Sequence, residues 1–173
     1  MMKNLFCVEY EEWKNTLSAG DEVELSGTVF TARDAAHRRM FEIYEAEGRF
    51  PFEIKRSFIY YAGPTPAAPG KIIGSCGPTT SSRMDVYAPR LYDLGLAGTI
   101  GKGPRSQGVI DSIKSNGAVY FLALGGVGAL AAKHITSLDV VCFDDLGCES
   151  IKKLTFDRFP LIVGIDHLGN SVF

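Results

Sequence analysis

The chain contains no C-x-x-C pair, no apolar run approaching the roughly 20 residues of a membrane span, and no large excess of charge of either sign. Each absence excludes something. Cys7, Cys76, Cys142 and Cys148 are scattered, and apolar neighbours surround two of them. They read as buried free thiols rather than as a disulfide framework or a metal site held by this chain alone. The stretch MMKNLFCVEYEEWKNTL lacks the apolar core of a signal peptide, so the cytoplasm is the expected compartment and no membrane contact is expected. A formal net charge of -2 provides no general basicity to attract nucleic acid or anionic lipid, so any anion site has to be local. Neither nucleotide-loop pattern is complete. Gly101-Lys102-Gly103 is preceded by Leu96 where a P-loop needs glycine, and no hydroxyl residue follows the lysine. Gly125-Gly126-Val127-Gly128 lacks the G-x-G-x-x-G spacing and reads as close backbone packing.

What is present describes one folded unit spanning residues 1–173, with 46% hydrophobic and 22% charged residues, long enough to bury a continuous core without staples. Residues 9–18 read as a short helix stopped by Ala19-Gly20, and 22–32 as a strand bent at Ser26-Gly27. A helix is expected from Asp34 to about Ala46, with Ala36, Met40, Ile43 and Tyr44 on its apolar side. Strands are expected at 57–62 and 71–75, separated by the three-proline loop GPTPAAPG. A helix over 84–94, interrupted or kinked at Pro89, precedes a short strand GTIG. Residues 106–116 form another helix, AVYFLAL at 118–124 a buried strand, 129–134 a short helix, and LDVVCF a strand. From Ser150 the tail reads as strands joined by Asp-Arg and Leu-Gly-Asn turns. Early hairpins, a central β-α alternation and a β-rich end imply a mixed α/β fold.

The chemistry gathers around GPTTSSRMDVY, residues 77–87, where four hydroxyl side chains lead into Arg83. Three cations stand just past strand ends, at or before helix starts: Arg33, Arg83 and Lys102. Ligands collect at such positions in α/β sheets because unpaired N–H groups and helix dipoles favour anions there. Two forked guanidiniums and one compact ammonium suit a dicarboxylate. Each piece also has a plainer role: Thr79, Thr80, Ser81 and Ser82 as a helix cap and turn, and Arg33, Asp34 and His37 as a solvated first turn.

Residues 77–103, GPTTSSRMDVYAPRLYDLGLAGTIGKG, with GTVFTARDAAHRRM at 27–40 and GGVGALAAKHI at 125–135, closely resemble the beta-type subunit of class I fumarases and tartrate dehydratases. The resemblance covers nearly the whole chain. It implies a swivelling β/β/α domain, with a mixed sheet and flanking helices, that acts as half of a hydro-lyase. The other half, an alpha-type partner in a heterotetramer of two alpha and two beta chains, is implied to hold a four-iron four-sulfur (4Fe-4S) cluster, with none bound by this chain.

Residue by residue, the resemblance places Arg33, Arg83 and Lys102 as substrate-binding cations, Lys102 also within the catalytic set, and Thr79 as the proton-abstracting group. Asp34, His37, Thr80, Ser81 and Asp85 are expected as supporting residues, with His37 bracing Arg33 or Asp34 from one turn along the helix. The implied reaction is reversible hydration of fumarate. The alternatives are the beta subunit of L-tartrate dehydratase or of a related dicarboxylate hydratase, and an anion-binding module without activity.

Overall fold

A computed structural model describes residues 1–124 and 128–173. Its elements run β1 (Lys3–Phe6), α1 (Tyr10–Trp13), β2 (Glu22–Thr31), α2 (Asp34–Glu47), β3 (Phe58–Tyr60), α3 (Ala88–Asp93), β4 (Gly98–Gly101), α4 (Gln107–Asn116), β5 (Val119–Leu122), α5 (Gly128–Ala132), β6 (Ile135–Cys142) and β7 (Ile151–Ile165). The fold is mixed α/β, as expected, with a mixed seven-stranded sheet in the order β1-β2-β3-β4-β5-β7-β6. Strands β1 to β5 are mutually parallel, whereas β7 runs antiparallel to β2, β5 and β6. Because β7 pairs with both β2 and β5, the pairings β2-β3-β4-β5-β7 close into a circuit.

The period-2 alternation of side chains divides the buried residues between two cores. On β3 and β5, Phe58, Tyr60, Val119 and Phe121 join one cluster, with Phe156, Phe159 and Trp13. Ile59, Tyr61 and Tyr120 face the other, where α2, α3 and α4 contribute Ala36, Met40, Leu91, Val109 and Ile113. Both longer helices end on left-handed glycines: Gly48 at φ 72° and Gly117 at φ 62°. The bend in β2 is a bulge between Leu25 and Gly27. No helix among the described residues is long and apolar enough to cross a membrane.

Several local expectations are corrected. Residues 71–75 form a loop instead of a strand, since Pro64, Pro66 and Pro69 deprive the neighbouring segment of the N–H groups a ladder needs. The first helix shrinks to one α-helical turn between 3-10 turns at Cys7–Glu9 and Lys14–Thr16. No early hairpin forms: β1 pairs with β2 in parallel, Lys3 opposite Val23, with the α1 segment as crossover. The expected 84–94 helix is interrupted, not kinked: a 3-10 turn ends at Met84, and α3 starts at Ala88 with Pro89 in its first turn, where its missing N–H costs nothing. Asp157-Arg158 is no turn. β7 runs through it, and Arg158 at φ 51° donates its N–H to Ser26 Oγ (2.9 Å) across from the β2 bulge, so both strands bend together. The GGVG run lies outside the described residues except Gly128, where a Cβ would approach Gly77 N to 2.9 Å and overlap Ser75 Oγ. That is the close backbone packing expected of it.

Candidate active site

The parallel strands β2, β3 and β4 all end on one edge of the sheet, and their carboxyl ends deliver Arg33, Gly63 and Lys102 to it. The hydroxyl segment is laid into this edge by backbone bonds. Thr79 N–H donates to Tyr61 O (2.7 Å), Thr80 bridges Lys102 in parallel, and Ser81 N–H donates to Lys102 O (3.0 Å). Thr79 thus continues the end of β3, as Arg33 does from the other side, where Ala32 N–H donates to Tyr60 O (3.1 Å).

Arg83, on the 3-10 turn Ser81–Met84, reaches back over Thr79. Its Nε and Nη2 donate to the two oxygens of Asp34 (3.0 and 3.3 Å), and Nη2 also donates to Thr79 Oγ1 (2.5 Å). Asp34 is the first residue of α2, where a carboxylate also complements the helix dipole. Arg83 is about half exposed and presents its free edge outward. Arg33 lies across Gly63, where a Cβ would come within 3.1 Å of its Cδ and 3.2 Å of its Nη1, so the guanidinium needs a glycine beneath it. Its Nε is buried without a hydrogen-bond partner among the described residues.

The hydroxyl row does not cap a helix. Thr80 is the N-cap residue of the 3-10 turn yet makes no side-chain capping bond, and it is exposed. Ser81 instead turns inward: its buried Oγ accepts from Lys102 N–H (3.0 Å) and lies 2.8 Å from the Tyr120 hydroxyl, which also meets Gly103 O at 2.8 Å. Ser81 therefore fixes the backbone that carries Lys102, whose own side chain is exposed.

One layer below stand residues that do not reach the open face. His37 is fully buried; its backbone N–H and ring Nδ1 both meet Arg33 O (2.9 and 2.8 Å), and its ring stacks on Tyr87. Burial drives its pKa down to about 4 despite the bond to Arg33 O, so the ring is neutral near pH 7. It holds the Arg33 backbone, not the guanidinium. Asp85 does not touch Arg83; it accepts from Arg105 Nε (2.6 Å) and Ser106 N–H (2.7 Å).

Two residues without any sequence signal emerge here. Arg105 is buried among Asp85, Thr99, Tyr61 and Tyr120. Lys152, at the start of β7 beside the end of β2, donates to Gly147 O, Cys148 O, Ser150 O and Ser150 Oγ (3.3, 3.1, 3.2 and 2.8 Å), and burial lowers its pKa. Lys152 and Lys153 are adjacent in the sequence, and only the packing shows that the first is buried and the second exposed.

The described residues hold no group of three or more His, Cys, Asp or Glu arranged to bind a metal. Burial pushes the Cys7 and Cys76 thiols up to about 12 and Cys142 up to about 11, so all three remain protonated and poor ligands. The four cysteines, Cys7, Cys76, Cys142 and the exposed Cys148, do not gather into a cluster-binding set among the described residues. Nor is the cation edge a closed pocket: a groove of about 740 Å³ lies aside from it, between α2 and α3, lined by Arg38, Phe41, Glu42, Glu45 and Arg90. The edge is an open face of a mixed α/β domain carrying convergent cations and a hydroxyl.

Cations and a hydroxyl at one sheet edge are chemistry that suits an anion, and sequence comparison supplies the family. The family model for the fumarase C-terminus matches residues 4–173, and the chain belongs to that family. It is 39% identical over 153 residues to an Escherichia coli K12 protein named fumarate hydratase class I, anaerobic, covering 87% of this chain and 28% of that one. It is 37% identical over 156 residues to fumarate hydratase 2 of Leishmania major, covering 89% of this chain and 28% of the relative. A Methanocaldococcus jannaschii protein, provisionally named L(+)-tartrate dehydratase subunit beta, is 37% identical over 163 residues, with 91% of this chain and 84% of the relative covered. The chain thus spans little more than a quarter of the fumarate hydratases, but most of the beta subunit.

Proposed function

We propose that this chain is the beta subunit of a two-subunit iron-sulfur hydro-lyase that reversibly hydrates fumarate to L-malate in the cytoplasm. The observation that carries the reading is the convergence of Arg33, Thr79, Arg83 and Lys102 on one open sheet edge in a member of the fumarase C-terminus family. In this reading residues 1–173 form one swivelling β/β/α domain that closes against an alpha-type partner, and two chains of each kind assemble. The 4Fe-4S cluster belongs to the partner, in keeping with the donor chemistry of this chain.

The residues here bind and orient the dianion and move one proton. Arg33 and Arg83 each offer a fork to a carboxylate, and Lys102 adds a point charge. Arg33 Nε, which meets no acceptor among the described residues, is a donor available to a carboxylate. In the dehydration direction Thr79 Oγ1, as an alkoxide whose own proton has passed to solvent, takes the proton from the carbon next to a carboxylate and becomes the neutral hydroxyl, while hydroxide departs from the adjacent carbon; in hydration the hydroxyl returns that proton to carbon. A threonine alkoxide is far too basic to form unaided at neutral pH. The Arg83 Nη2 donor aimed at Thr79 Oγ1 lowers the cost of charge there, more so once a partner excludes water.

A second reading, the beta subunit of a tartrate dehydratase, is favoured by the near full-length match to the archaeal beta subunit. Reconstitution with the alpha-type chain under anaerobic conditions, assayed on fumarate, malate and tartrate, separates the two. The chain alone is expected to be folded and inactive; iron-free turnover by it would overturn the half-enzyme reading. Thr79→Ala is expected to abolish exchange of solvent deuterium into malate while a nonreacting dicarboxylate still binds. Near-normal exchange in that variant removes Thr79 from the chemistry.

A further inference from the structure

Arg105 has no place in the proposed chemistry, yet it is the most enclosed cation of the described ion pairs, its side chain 0% exposed. An arginine cannot shed its charge in a protein, so burying one is costly unless every donor is met. Here the guanidinium is met from three directions: Nε by Asp85 Oδ1 (2.6 Å), Nη1 by Thr99 Oγ1 (3.1 Å) and Nη2 by the Tyr61 hydroxyl (3.2 Å). The Tyr120 and Tyr61 rings lie against it, with Cζ 4.8 and 5.2 Å from their centroids.

Each of these partners belongs to a segment that delivers a site residue. Tyr61 gives its backbone carbonyl to Thr79 N–H. Asp85 lies two residues after Arg83. Thr99 is on β4, three residues before Lys102, and Tyr120 touches the Ser81 Oγ that accepts from Lys102 N–H. A single planar fork therefore ties together the three segments that meet at the sheet edge.

We propose that Arg105 is a positioning residue that locks the Thr79–Arg83 segment and the Lys102 loop into one register beneath the substrate-binding face. It touches no substrate and acts through Tyr61, Asp85 and the Ser81–Tyr120 pair. Lysine cannot replace it, because an ammonium of similar reach lacks the planar geometry that meets Asp85, Thr99 and Tyr61 together. The consequence for catalysis rests on the functional reading above; the consequence for backbone order does not.

The test is amide hydrogen exchange by NMR on the full chain. In Arg105→Lys, protection at the Thr79, Ser81 and Lys102 amides should fall by about tenfold or more, the equivalent of one lost hydrogen bond, relative to Val29 and Leu154 in the distant β2–β7 ladder. Should Arg105→Lys fail to fold, Tyr61→Phe removes one prong alone and should give the same selective loss at roughly threefold. In the reconstituted pair Arg105→Lys should lower kcat about tenfold with a smaller change in KM. Equal loss of protection at the site and in the β2–β7 ladder would make Arg105 a general stabiliser and overturn the proposal. Unchanged exchange would do the same. A wild-type pair that turns over no dicarboxylate overturns the functional reading, while selective loss of protection still upholds the role of Arg105.

Discussion

Gly101 is the last residue of β4, immediately before Lys102, and its hydrogen faces Ser81 and Tyr61. A methyl group there would overlap Ser81 Oγ and stand 2.9 Å from Tyr61 Cδ2. Both neighbours are fully buried, so neither can swing into solvent. In Gly101→Ala the Ser81 hydroxyl must rotate away from Lys102 N–H and Tyr120, losing contacts of 3.0 and 2.8 Å, while Tyr61 is forced off its place. Overpacking of this kind costs about 1 to 3 kcal/mol, and stranding a buried N–H about 1 to 3 more, so the expected loss is roughly 3 kcal/mol. Ser81→Ala alone should cost about 1 to 2 kcal/mol, through the orphaned Lys102 N–H. In the double variant the overlapping oxygen is gone, so its cost should fall short of the sum by about 1 kcal/mol or more. Urea unfolding of the four proteins at pH 7 measures the cycle and requires neither partner nor substrate. Additivity within about 0.5 kcal/mol would refute the close approach between β4 and the hydroxyl segment.

His37 supplies a pH dependence of definite sign: its folded pKa of about 4 lies below the unfolded value near 6.5, so stability is full above pH 6.5 and falls as pH drops towards 4. Between pH 7 and 5 the loss should be roughly 2 kcal/mol larger in the wild type than in His37→Gln, read from urea midpoints at the two pH values. Arg33→Ala and Arg83→Ala should each raise KM for the dicarboxylate in the reconstituted pair, by roughly 2 to 5 kcal/mol of binding; unchanged kinetics in both would make them surface residues. Lys152→Met should leave at least one carbonyl of the 147–150 segment unsatisfied and lower stability by about 1 to 3 kcal/mol, measured by thermal unfolding.

Much of this molecule was legible in its sequence, because local rules govern those parts. Gly48 and Gly117 end helices since the left-handed backbone there favours glycine, and the bend at Ser26-Gly27 follows from the same freedom. The alternation in β3 and the apolar run of β5 mark buried strands. Arg33 and Lys102 sit at strand ends because the apolar pattern stops beside them, and Thr79 and Arg83 stand in the segment that follows. Their quoted motifs, more than their spacing, pointed to the family.

Tertiary structure alone decided the rest. Whether β1 and β2 form a hairpin or a parallel pair depends on the α1 crossover, whose length a local pattern does not reveal. The tail became a single 15-residue strand because β2, β5 and β6 all needed it as a partner, and that demand carries the chain through Asp157-Arg158. Ser81 became a tie for Lys102 instead of a helix cap since β4 lies close enough, across a glycine, to offer it an N–H. Asp85 turned away from Arg83 to Arg105, and Asp34 took Arg83 in its place: among several carboxylates near several arginines, only the packed geometry selects the pairs. Propensity and periodicity act over a few neighbouring residues, whereas these choices join residues as far apart as Ser26 and Arg158, 132 positions along the chain, so no local pattern encodes them.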